Sequence, residues 1–153
     1  VASKLIAITD AIVAELNARV ADGTLSPTFT AIRRNSPEFK LEDLTTLQVV
    51  AVPRGRRKEP EDRETNRVSY VIDVGVRKTL AALEVGAAAA NDTTDPLIAL
   101  LEDIDDDLDS PKLPGYDTAR WGGSEWLTDD EMLRQDHLFA AVLTFTFQTL
   151  ETR

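Results

Sequence analysis

Six carboxylates, Glu102, Asp103, Asp105, Asp106, Asp107 and Asp109, crowd one short stretch, and carboxylate oxygens are what hard cations such as calcium bind. A calcium loop opening on Asp103, with Asp105 and Asp107 following, requires Gly at its sixth position and Glu at its twelfth. The chain has Leu108 and Pro114 there, so the run reads as the solvated face of a helix and no metal site is expected. Acids near a helix C-terminus oppose the macrodipole and cost helix stability, which points to a role outside folding, such as facing a basic neighbouring subunit.

His137 is the sole histidine, so any histidine-based acid, base or triad has to use it. Asp136 is its immediate neighbour and on a strand would project to the opposite face, and no Ser sits in a Gly-x-Ser-x-Gly turn. His137 therefore reads as the residue before a final strand, and no catalytic residue and no cofactor are expected. Arg54, Arg56, Arg57 and Lys58 could touch phosphate, with Gly55 allowing close backbone approach, but Glu59, Glu61, Asp62 and Glu64 follow at once. The segment reads as a loop that orders against a partner. Trp121 and Trp126 flank Gly122-Gly123 and are candidate interface aromatics, with plugging of the domain's own core as the alternative.

The elements that would position these residues follow from periodicity. Leu5, Ile8, Ile12, Leu16 and Val20 predict an amphipathic helix over residues 3–21, capped by Ser3 and ended by Gly23. Asp10 and Glu15 interrupt its apolar positions, so it reads as a helix face rather than a secretory signal. Strands are predicted at 28–34 and 46–52, and residues 53–66, charged throughout, are expected to form a protruding hairpin loop. Val68, Tyr70, Ile72, Val74 and Val76 alternate as a third strand. Residues 79–94, with their alanine-rich stretch, stay open between loop and frayed helix. Asp95 as N-cap and Pro96 at the first position predict a second helix ending before Pro111. A short irregular strand is expected around 119–127, then a capped turn at 128–135. Phe139, Ala141, Leu143, Phe145 and Phe147 then alternate with Thr144, Thr146 and Gln148 along a last strand over 138–149.

Composition narrows the function classes. A chain of 153 residues suits one domain over 1–153, and 42% apolar with 29% charged residues is ordinary for a globular protein. No apolar run approaches the roughly 20 residues that cross a bilayer, so no membrane association is expected. Without cysteine there is no disulfide, thiolate metal site or thiol nucleophile. A formal net charge of −10 argues against general nucleic-acid binding, which needs many cations facing phosphates, yet it suits a wall that DNA slides past.

The helix over residues 4–20, the strand Tyr70-Val-Ile-Asp-Val-Gly-Val76 followed by Arg77-Lys78, the helix Asp95-Pro-Leu-Ile-Ala-Leu-Leu-Glu-Asp-Ile104 and the strand Phe139-Ala-Ala-Val-Leu-Thr-Phe-Thr-Phe147 span most of the chain. In order and texture this set resembles the tail terminator (tail-completion) proteins of long-tailed bacteriophages. The resemblance implies a structural virion protein of the tail and neck, assembled in the host cytoplasm. Copies would close a homo-oligomeric, hexameric ring that ends the tail tube, contacts the tail tube protein and a head-completion or stopper neck protein, and lets genomic DNA pass without specific binding. It implies that Arg54, Arg56, Arg57, Lys58, Glu59 and Glu61 face the ring neighbour or the lumen. Another neck component, or a small monomeric acidic partner-binding module, are the alternatives. The fold class expected is α+β: a mainly antiparallel sheet of about four strands with both helices on one face.

Overall fold

The computed structural model describes residues 3–36, 46–80, 90–108, 119–129 and 138–152. The expected capped turn beyond Asp129, most of the alanine-rich stretch, Asp109 and His137 lie outside the described residues.

The protein is α+β, with five strands rather than about four in the order β1-β2-β3-β5-β4. Helix α1 spans Lys4–Ala21, β1 Thr30–Arg33, β2 Gln48–Pro60, β3 Thr65–Thr79, α2 Ala90–Leu108, β4 Ala119–Thr128 and β5 Leu138–Thr152. The β2–β3, β3–β5 and β4–β5 pairs are antiparallel, and the short β1 runs parallel to β2. The terminal β5 is thus an interior strand.

Alternation decides the core. Val68, Tyr70, Ile72, Val74 and Val76 of β3 pair in register with Thr149, Phe147, Phe145, Leu143 and Ala141 of β5, so one face of the sheet is apolar over most of both strands. Ile8, Ile12 and Leu16 of α1 and Leu97, Leu101 and Ile104 of α2 pack on that same face, all at 2% exposure or less. Each helix presents a three- and four-residue stripe, and the sheet removes it from water. Helix α1 lies over β1 and β2, and α2 lies beside β4 and β5.

Local chemistry sets the ends of α1. The Ser3 side chain accepts from the Ile6 N–H at 3.3 Å, and Gly23 takes a φ of +84°, a conformation costly for any residue with a side chain. Helix α2 departs from expectation: it begins at Ala90, five residues before Asp95, so Asp95 is not its cap and Pro96 lies inside it. The helix forgoes the hydrogen bond that the nitrogen of residue 96 would have made.

The larger correction concerns residues 53–66. They are not a protruding loop: β2 runs on to Pro60 and β3 starts at Thr65, leaving only residues 61–64 as the turn. Asp62 closes that turn, its carboxylate accepting from Glu64 N–H and Thr65 N–H at 2.8 Å each. Charged side chains are compatible with a strand here because, among the described residues, only one side of β2 is paired beyond Ala51, where β1 stops.

Candidate functional site: the second sheet face and its free edge

On its second face the sheet carries no helix among the described residues. Register places Ser69, Val71, Asp73, Gly75 and Arg77 of β3 beside Gln148, Thr146, Thr144, Val142 and Ala140 of β5 on that face. A polar ladder runs along it. Thr144 donates to Asp73 at 2.8 Å, Gln148 donates to Ser69 at 3.1 Å, and Arg54 reaches Asp73 at 3.2 Å. Among the described residues the two large exposed hydrophobic ones, Val142 at 40% and Leu150 at 66% exposure, both stand on this face of β5. Val50, Val52, Val142 and Gly75 line a shallow depression of about 40 Å³ rimmed by Arg54, Asp73 and Arg77. Burial lowers the Arg77 pKa from its ordinary value, and Asp129 acts the other way. A wider opening of about 340 Å³ between residues 28–30 and 46–48 is lined by no ionisable side chain.

The expected interface residues lie along the distal half of β2. A register break between Pro53 and Gly55 bulges the strand at Arg54. Beyond it, Arg57 and Glu59 share the second face with Ser69 and Arg67, while Arg56 and Lys58 turn to the helix side opposite Tyr70 and Val68. Glu61 sits in the turn and pairs with Arg67 at 2.8 Å. Arg57 pairs with Glu59 at 2.6 Å, with side chains 77% and 48% exposed. Pairs this exposed are worth only about 0–1 kcal/mol each and exchange partners readily.

This edge is guarded. The Ala51 carbonyl points outward to Arg34 N–H at 3.0 Å, and backbone direction alternates along a strand, so the nitrogen of residue 53 also points outward. After the bulge, residues 56, 58 and 60 take the outward positions, because residues 55, 57 and 59 pair with β3 residues whose backbone faces β2. Pro53 and Pro60 therefore stand where a free N–H would invite a stray strand, and Arg56 and Lys58 crowd the gap between them. The β1 edge is closed differently. Asn17 of α1 donates to the Ala31 carbonyl at 3.0 Å and accepts from Ala31 N–H at 2.8 Å, as a neighbouring strand would.

Two clusters escape the sequence reading. At the far end of the sheet Glu151 accepts from Lys4 at 2.7 Å and from Tyr70 Oη at 3.1 Å, with Arg56 at 3.7 Å. Burial raises the Glu151 pKa, but the Lys4 and Tyr70 hydrogen bonds outweigh it and the net shift is downward. Tyr70 is pushed upward by burial and by Glu151. The available signal was a tyrosine within an apolar alternation, since a buried hydroxyl needs a partner.

Where α1 and α2 end, Asp107 reaches Arg19 at 3.1 Å with its side chain only 12% exposed. Burial, then Glu15, lift its carboxyl from 3.8 to about 6. The acidic run is thus not uniformly solvated: Glu102, Asp103 and Asp106 are exposed, whereas Asp107 is drawn inward beside Leu108. Among the described residues no three His, Asp or Glu side chains converge as a metal site. Trp126 stands opposite Leu143 in register, and Trp121 falls in the β4 irregularity between Arg120 and Ser124. The structure does not describe either indole.

Compared with known proteins, the chain matches no family profile and no curated protein sequence.

Proposed function

We propose that this protein is a structural subunit of a bacteriophage tail, closing a homo-oligomeric ring that terminates the tail tube and joins it to the neck. The observation that carries the proposal is the long blade formed by β2, β3 and β5, apolar and helix-backed on one side. Its other side bears polar ladders, arginines and the exposed Val142 and Leu150. Strands of 13 to 15 residues reach roughly 45–50 Å at about 3.3–3.4 Å per residue, longer than most strands of small domains. Such a blade offers different surfaces front and back, the requirement for a heterologous contact that closes into a ring.

On this reading Arg54, Arg56, Arg57, Lys58, Glu59 and Glu61 lie along the rim of the blade, where the ring neighbour or the lumen would meet them. The tail tube protein and a head-completion or stopper protein would stack on the two ends, and the net charge of −10 per copy would keep DNA from adhering as it passes. The test is electron microscopy of particles lacking the protein. Overlong tubes or tails unjoined to heads are expected. Normal, joined tails of wild-type length would refute the assignment.

A further inference from the structure

Charge is distributed unevenly between front and back of the blade. The sequence of α2 holds seven carboxylates and no Lys or Arg, against a formal net charge of −10 for the whole chain. Asp95, Glu102, Asp103 and Asp106 are exposed, and their spacing puts them on one stripe of α2 turned away from its buried Leu97, Leu101 and Ile104. The stripe is about 17 Å long at 1.5 Å per residue. It lies on the helix side of the sheet.

The opposite side carries arginines of β2 and β3, while Arg56 and Lys58 turn to the helix side. Arg54, with its side chain 52% exposed, Arg57 at 77% and Arg67 at 33% stand on or over the second face. Their present partners Asp73, Glu59 and Glu61 are held in partly exposed pairs that can be exchanged for others at little cost. Leu150 follows Thr149 on β5 and pairs with Arg67, so the most exposed large apolar side chain among the described residues lies beside one of these arginines. Arginine is enriched at protein–protein interfaces relative to the rest of a protein's surface.

We infer that the second sheet face of one copy receives the acidic α2 stripe of the next, Arg54, Arg57 and Arg67 meeting Asp95, Glu102, Asp103 and Asp106 around Leu150. The occupant is a second copy of this chain because the complementary charge is its own. The strand edge is not the route, since Pro53, Pro60 and the bulge at Arg54 guard it. The contact joins unlike surfaces, so each copy retains one free donor face and one free acceptor face until the set closes. This rests on the ring reading and specifies its interface.

The experiment is analytical ultracentrifugation of the purified chain at about 50 mM salt, with two neutralised variants, Arg54→Gln/Arg57→Gln and Asp103→Asn/Asp106→Asn, their folding checked by circular dichroism. Wild type is expected to self-associate, each variant alone to associate at least tenfold more weakly, and a mixture of the two to stop at one-to-one dimers. That last species needs one intact face from each variant, and wild type growing past a dimer where the mixture stops there separates a head-to-tail contact from a symmetric one. Rings formed equally well by both variants would overturn this interface while leaving the ring reading intact. A wild-type chain that stays monomeric up to about 1 mM would overturn it as well, and the ring reading would then be judged by the particle images alone.

Discussion

Replacing Asp107 by Asn should make the protein more stable at neutral pH, although it removes one partner of an ion pair. The Asp107 carboxyl is moved from 3.8 to about 6, by burial first and by Glu15 second, with Arg19 opposing. The folded state therefore binds the proton more tightly than the unfolded chain does. The ionised carboxylate opposes folding fully above about pH 6, and that opposition fades as pH falls toward 3.8. At about 1.4 kcal/mol per tenfold change in proton affinity, the full effect is about 3 kcal/mol. Coupling to Glu15 and Arg19 makes 1–3 kcal/mol the working expectation. Asn mimics the neutral carboxyl in shape and carries no charge to desolvate. Urea unfolding of both chains at pH 7.5, 6 and 4.5 reads the difference directly. Glu151 and Asp22, whose pKa values are lowered in the folded state, are carried by both chains, so their contribution cancels in the difference. The variant should be ahead at pH 7.5, with the gap narrowing steadily toward pH 4.5. A variant less stable than wild type at pH 7.5, or a gap independent of pH, would show that the Arg19 pair outweighs desolvation and that the reasoning is wrong.

Further outcomes follow from the same structure. Asn17→Ala removes both hydrogen bonds to Ala31, and about 1–2 kcal/mol of stability should go with them, measured by denaturant midpoint at constant m-value. Tyr70→Phe keeps the ring in the core but withdraws the hydroxyl from Glu151, so a loss of about 1 kcal/mol is expected; a loss of 3 kcal/mol or more would mean a packing change instead. Pro60→Thr combined with Lys58→Val restores an outward N–H and removes a guarding charge, so the double variant should aggregate at concentrations where wild type stays clear in light scattering. Gly75→Ala should be neutral or stabilising by a few tenths of a kcal/mol, because an added methyl would meet only the Val50 carbonyl at 3.9 Å; thermal unfolding checks it.

The two patterns most legible in the sequence were both local. Period-two alternation named the buried faces of β3 and β5 residue by residue, and the three- and four-residue stripe with Ser3 named α1 and its cap. The candidate surface was legible only in part. Charge singles out Arg54, Arg56, Arg57 and Lys58 but predicts a loop where β2 continues to Pro60. Charge density alone does not separate a loop from a strand with one unpaired side, and what keeps residues 53–60 extended is β3, which in turn is held along its whole length by β5 from the other end of the chain. Asp107 was grouped with five other acids because its neighbours in sequence are acidic, whereas its environment comes from Glu15 and Arg19 on another helix.

The sequence by itself determined which side chains leave water and the class of fold they form, because burial of a repeating apolar face depends only on spacing along one segment. Tertiary structure alone decided the strand order, the guarding of the β2 edge, and the separation of an acidic helix layer from an arginine-bearing sheet face. Those depend on which distant segments lie side by side, and no period within a single segment encodes its neighbour.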